Sequence, residues 1–87
     1  MTETKRMEVT IYGKAGCTNC DKTRMLCQIQ SLPFQYLMVG QDISAEALQE
    51  LVGQPVRSLP QIFLRNDEGT TYIGGYDDLR AHLRQVR

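Results

Sequence analysis

Tyr12-Gly13-Lys14-Ala15-Gly16-Cys17-Thr18-Asn19-Cys20-Asp21 is the stretch on which the reading of this chain turns. Its two cysteines stand three apart, between an apolar run and a helical pattern. Such a pair at the start of a helix that follows a strand marks thiol–disulfide redox chemistry. A thiol reacts as its thiolate, and a free cysteine with a pKa of about 8.5 is mostly protonated at neutral pH. At a helix N-terminus, unpaired backbone N–H groups and the helix dipole stabilise the anion on Cys17. Lys14, three residues upstream, adds a positive charge nearby. Cys20 follows one helical turn later, within disulfide reach but deeper in the helix. The spacing thus assigns Cys17 as the exposed attacking nucleophile and Cys20 as the resolving thiol.

Working outward, Met7, Val9 and Ile11 alternate with polar residues and predict a strand ending at Tyr12. Gly13 to Gly16 forms a turn, and Thr18-Asn19 offers capping chemistry for the helix that follows. That helix is expected from Cys20 to about Ser31, ahead of Pro33. Leu26 belongs to two apolar arcs, Met25-Leu26-Ile29 and Thr23-Leu26-Cys27, so cover on more than one side is expected. Phe34 to Val39 reads as a second strand, making a parallel strand–helix–strand unit. Ser44-Ala45-Glu46-Ala47 opens a second helix with Leu48, Leu51 and Val52 facing inward, and Gly53 ends it. Pro55 and Pro60 bracket a loop before a third strand, Gln61 to Leu64. Asp67-Glu68-Gly69 turns the chain into a fourth strand, Thr70 to Ile73. Polar Arg65 to Thr71 is expected as a surface loop of that hairpin. Gly74-Gly75 breaks the strand ahead of a last helix, about Asp77 to Gln85, with Leu79, Leu83 and Val86 inward. The order β-α-β-α-β-β-α predicts an α/β, thioredoxin-like fold: a four-stranded mixed sheet flanked by three helices, with helices on both faces.

The bounds agree with that outline. Eighty-seven residues, 41% of them hydrophobic, suit one domain spanning 1–87. Residues 1–6 are expected as a frayed tail rather than a signal peptide. No apolar run approaches the roughly 20 residues that cross a bilayer, so no membrane association is expected. Ten basic residues balance ten acidic ones without a basic cluster. That argues against nucleic acid and for a small molecule or a protein as partner. Three cysteines are too few and too unevenly spaced for a secreted disulfide framework, so a reducing, cytoplasmic setting is expected.

Two plainer readings of the pair compete. Structural zinc takes four ligands, and only Cys27 and His82 remain as further Cys or His candidates. Ordinary core cysteines are the other, yet glycines and a helix start surround this pair. Redox chemistry is the preferred reading, with no metal expected. Cys27 lies two turns beyond Cys20, about 10 Å at about 1.5 Å per residue, too far for a disulfide. It reads as a small core residue, and His82 as a structural histidine between Leu79 and Leu83.

At this point the chain resembles the glutaredoxins over nearly its whole length. Cys17-Thr18-Asn19-Cys20 stands where that family has a Cys-Pro-Tyr-Cys-like motif. Ser58-Leu59-Pro60-Gln61-Ile62-Phe63 matches its Thr-Val-Pro-Gln-Ile-Phe segment, and Ile73-Gly74-Gly75-Tyr76-Asp77-Asp78 its Gly-Gly-Tyr/Phe-x-Asp segment. Phe34-Gln35-Tyr36 and the Leu51 to Pro55 region look like small bacterial and phage glutaredoxins serving ribonucleotide reductase. The resemblance implies a monomeric, glutathione-dependent oxidoreductase, with glutathione as reductant and ribonucleotide reductase as a protein client. It implies a cis bond before Pro60 and a glutathione site built from Lys14, Asn19, Ser58, Leu59, Pro60, Gly75, Tyr76, Asp77 and Asp78. In it, the Leu59 backbone pairs with the peptide, and Lys14 meets the glycine carboxylate. N–H groups around Asp77 take the γ-glutamyl carboxylate, and Asp78 takes its ammonium. Thr18 and Asn19 depart from the family's proline and tyrosine. Two alternatives stay open: a redoxin reduced by thioredoxin reductase, and a glutathione-bridged [2Fe–2S] carrier that dimerises through Cys17.

Overall fold

The computed structural model describes residues 7–85 of the chain. The expected tail over 1–6 and the expected inward Val86 lie outside the described residues. The elements are β1 (Glu8–Gly13), α1 (Thr18–Ile29), β2 (Phe34–Met38), α2 (Ala45–Val52), β3 (Gln61–Asn66), β4 (Gly69–Gly74) and α3 (Tyr76–Gln85). They follow the expected order. The sheet runs β2-β1-β3-β4, with β1 and β2 parallel and the other two pairings antiparallel. The mixed, thioredoxin-like arrangement is therefore present.

Alternation along the central strands decides which face is dry. In β1 every second residue, Val9, Ile11 and Gly13, is buried, and Ile62 and Leu64 of β3 continue that face. Cys27 of α1 and Leu79 of α3 close the core over it. α1 is buried on one side only, through Cys20, Thr23 and Cys27, at the spacing of a single helical stripe. The expectation of cover on a second side fails: Met25 is 58% and Ile29 73% exposed. With α3 beside one flank and the sheet beneath, no other element among the described residues packs on the rest of α1. Buried Thr23 stays satisfied because its hydroxyl donates to the Asn19 carbonyl at 2.8 Å.

α2 begins at Ser44, whose Oγ accepts from the Ala47 N–H at 3.1 Å, and ends at left-handed Gly53. It buries Leu48 but leaves Leu51 54% exposed, correcting the inward place expected for Leu51. Leu51 rims a hollow with Tyr12, Leu37 and Phe63. α2 therefore lies against the face opposite the core, where Tyr12, Phe63 and Tyr72 form a row of rings 5.7 and 5.2 Å apart. The expected Arg65–Thr71 surface loop is mostly paired strand. Arg65 pairs with Thr70 and Asn66 with Gly69, leaving a tight turn at Asp67-Glu68. The Asn66 side chain makes that turn, accepting from the Glu68 N–H at 2.8 Å.

Register then gathers three chain segments at one end of the sheet. Tyr12 faces Gln61 across β1 and β3, and Ile62 faces Gly74 across β3 and β4. The loop after β1, the loop before β3 and the turn after β4 consequently meet.

Candidate active site

Cys17 is itself the N-cap of α1, with an extended backbone and a sulfur that accepts from the Cys20 N–H at 3.2 Å. This corrects the expectation that Thr18-Asn19 caps the helix; both fall inside its first turn. The sulfur takes the role that a Ser or Thr oxygen usually plays, so the orphan donors of the helix start point at the reacting atom. Cys17 is half-buried, whereas Cys20 is fully buried at the start of the core stripe. The two are joined as a disulfide with Cα atoms 5.2 Å apart, inside the usual range. Only Cys17 is open to attack. Cys27 is the free thiol among the described residues, and burial pushes its pKa from 9.0 up to about 11. It packs in the core with Val9, Ile11, Ile62, Leu64 and Leu79.

The loop before β3 faces the cysteines. The Leu59–Pro60 bond is cis, and the Leu59 carbonyl oxygen lies 3.8 Å from the Cys17 sulfur. Gln61 anchors this loop: its amide donates to the Ser58 carbonyl at 2.8 Å, while its side-chain oxygen accepts from the Tyr72 hydroxyl. On the Cys17 side opens a cleft of about 480 Å³ bordered by Lys14, Arg57, Ser58 and Leu59, with an apolar wall from Val39, Leu48 and Val56. A second cleft of about 530 Å³ runs on past Arg57 and Ser58 to Gly74, Gly75 and Asp78. Both are lined by Arg57 and Ser58, so the two clefts adjoin at those residues, and together they are termed the trough.

Charge is divided along that trough. Lys14 stands at the cysteine end, Arg57 where the two clefts meet, and the first-turn acid Asp78 at the start of α3. Asp78 caps the helix, its Oδ2 accepting from the Gly75 N–H at 3.0 Å while Leu79 N–H donates to the Gly75 carbonyl at 3.0 Å. Gly74, at φ 118°, must lack a side chain, because a Cβ there would run into the Asp78 carboxylate.

Six of the residues named from sequence thus border the trough: Lys14, Cys17, Ser58, Leu59, Gly75 and Asp78. Pro60 is buried behind it, and Asn19 and Asp77 are exposed outside its walls. Half-buried Tyr76 holds the Lys22 ammonium 5.9 Å from its ring centre. Arg57 was missed by sequence reasoning, although a cation directly before Ser58-Leu59-Pro60 was there to be read. Tyr36 was missed as well; its hydroxyl donates to the Lys14 carbonyl at 3.1 Å, 22 residues away. No local pattern signals that contact. Among the described residues, no three His, Cys, Asp or Glu side chains gather as metal ligands.

Disulfide exchange requires a reachable sulfur, a protected sulfur behind it, and donors aimed at the first. This helix start supplies all three on a thioredoxin-like sheet, which defines a thiol–disulfide redox domain. Residues 9–68 match the family model "Glutaredoxin", and the chain belongs to the glutaredoxin family. It is 32% identical over 85 residues to glutaredoxin 1 of Escherichia coli, covering 91% of this chain and 95% of that one. A glutaredoxin of Haemophilus influenzae is also 32% identical over 85 residues, with 91% and 93% covered. The solution structure of reduced E. coli glutaredoxin superposes with a TM-score of 0.66 at 32% identity, over 90% of this chain and 94% of that one. A buckwheat glutaredoxin–glutathione complex shares the fold, with a TM-score of 0.70 at 22% identity over 93% and 70%. Family membership makes the chain a thiol–disulfide oxidoreductase, and Cys17–Cys20 is its redox-active pair.

Proposed function

We propose that this protein uses glutathione to reduce protein disulfides and glutathione mixed disulfides. The observation that carries the reading is the trough, cationic beside Cys17 and capped at its far end by a helix start bearing Asp78. Glutathione has the matching outline: a carboxylate at one end, a thiol in the middle, and an amino-acid group at the other. Lys14 and Arg57 would meet the glycine carboxylate, and the Leu59 backbone would pair with the cysteinyl residue as a short added strand. The first N–H groups of α3, around Tyr76 and Asp77, suit the γ-glutamyl carboxylate, and the Asp78 oxygen not used in capping suits the ammonium. Ser58 and Gly75 border the path and Pro60 sets the loop, while Asn19 stands outside it on the first turn of α1.

The cycle follows from access. The Cys17 thiolate attacks a substrate disulfide, forming a mixed disulfide and releasing one thiolate. Cys20 then attacks the Cys17 sulfur, closing the internal disulfide and releasing the second. One glutathione thiolate reopens that bond at Cys17, and a second removes the first as glutathione disulfide, restoring the dithiol. Ribonucleotide reductase is proposed as a client, and a reducing cytoplasm as the setting, on family resemblance and cysteine usage respectively.

Cys20→Ser separates the two half-reactions. It should retain exchange with glutathione mixed disulfides, which needs only Cys17, and lose reduction of protein disulfides. Equal loss of both would contradict the roles assigned to the sulfurs.

A further inference from the structure

When the Cys17–Cys20 bond opens, the electron pair stays on a sulfur that water cannot reach. Cys20 is fully buried, and its own N–H is occupied by the Cys17 sulfur. A thiolate left there without a donor is costly.

The Tyr36 hydroxyl stands near it, with no hydrogen bond to it in the disulfide form. Tyr36 faces Ile11 across β1 and β2, so its ring lies on the core side of the sheet. Its hydroxyl reaches the end of β1. There, the position a Gly13 Cβ would occupy lies 2.6 Å from the Tyr36 hydroxyl and 2.7 Å from the Cys20 sulfur. Those two lengths together are the most that can separate hydroxyl and sulfur. Only a glycine at 13 leaves the gap between them empty, and Gly13 is buried. In the disulfide form the hydroxyl donates to the Lys14 carbonyl, an acceptor on an exposed residue that water can also serve. The Arg24 guanidinium lies 4.7 Å over the Tyr36 ring and is paired with Asp21 at 3.0 Å, a contact that packs on the ring and leaves the C–O–H torsion free.

We infer that Tyr36 is the hydrogen-bond donor to the Cys20 thiolate: on reduction its hydroxyl turns from the Lys14 carbonyl to the Cys20 sulfur. The attacking thiolate bonds to the Cys17 sulfur, the Cys17–Cys20 bond breaks, and Cys20 departs with the electron pair into that hydrogen bond. In the reverse step the same bond holds the Cys20 thiolate against Cys17. The inference rests on exchange at the cysteine pair and not on glutathione as the reductant. Charged and titratable groups tied to this spot are Cys17, bonded to Cys20, Arg24 over the Tyr36 ring with Asp21 paired to it, and Lys14, whose backbone carbonyl Tyr36 holds.

The test titrates Cys20 in the Cys17→Ser chain by the ¹³Cβ shift of Cys20, with and without Tyr36→Phe. Loss of the hydroxyl should raise the Cys20 pKa by about one unit, a tenfold smaller thiolate fraction at fixed pH. A hydroxyl that serves only folding would lower stability without moving this titration, and an unmoved midpoint overturns the inference. A second reading needs no change at Tyr36: its ¹³Cζ shift should follow the Cys20 midpoint, and a flat Tyr36 signal through that midpoint also overturns it. Neither measurement contains glutathione, so failure of the glutathione reading leaves both intact.

Discussion

Gly13→Ala puts the packing at the active site to a quantitative test. The φ of Gly13 is not positive, so alanine suffers no backbone strain there. Through the unfolded chain alone, the change should stabilise by about 0.4–1 kcal/mol. The new methyl, however, would stand 2.6 Å from the Tyr36 hydroxyl and 2.7 Å from the Cys20 sulfur, with the Tyr36 Cζ at 3.0 Å. The ring is clamped by Arg24, and in the oxidised protein the sulfur is tied to Cys17. Either can move aside only by giving up these contacts. Overpacking of this kind costs about 1–3 kcal/mol, and with both neighbours held the net loss should be about 2 kcal/mol. For a domain of this size that lowers Tm by roughly 8–16 °C. Thermal unfolding followed by circular dichroism would read it, in oxidised and reduced protein. The loss should be smaller once the sulfur is free to rotate away. Adding Tyr36→Phe should recover part of it, because the closest obstruction is gone and contacting sites are not additive. A Tm unchanged or raised by Gly13→Ala, or strict additivity with Tyr36→Phe, would refute the packing argument.

Other outcomes follow from single contacts. Arg57→Ala should raise the KM for glutathione about tenfold, as loss of one charge-assisted contact in a solvated cleft; steady-state kinetics at two salt concentrations would show the effect shrinking as salt rises. Asp78→Ala removes the cap on α3 and should cost about 1 kcal/mol, visible as a lower Tm and faster exchange of the Gly75 amide proton. Cys27 has a folded pKa of about 11 against an ordinary 9.0. The unfolded chain therefore sheds this proton first, and stability is full below pH 9 and falls as pH rises towards 11. Urea unfolding across that interval should lose roughly 2–3 kcal/mol from this group, and Cys27→Ala should flatten that part of the slope.

Much of the architecture was readable because the central strands obey simple alternation. Val9 and Ile11 point one way, and β1, α1 and β2 are separated by unambiguous Gly and Pro signals. The reading went astray where tertiary neighbours decide. Met25, Ile29 and Leu51 are apolar at helical spacing yet exposed, since hydropathy does not reveal how many sides of a helix are covered. Capping by Cys17 was hidden because cysteine is not a common cap, and the placement of its sulfur follows from the turn at Gly16. Within the site, Cys17, Cys20, Ser58 and Leu59 were legible from short motifs. Tyr36 was not, because it reaches the site through sheet register, whereas Arg57 was overlooked although it directly precedes Ser58. Thr18 and Asn19 replace the proline and tyrosine of the family motif, and both side chains lie on the exposed first turn of α1. Their exchange leaves the buried Cys20 and the loop at Leu59 in place.

The central claim is that electrons enter through glutathione at Cys17. The most direct test is turnover of a small mixed disulfide by the purified chain, supplied with glutathione, glutathione reductase and NADPH, then with thioredoxin reductase and NADPH instead. The account predicts NADPH consumption in the first system, abolished by Cys17→Ser and little above background in the second. Turnover with thioredoxin reductase alone would contradict it.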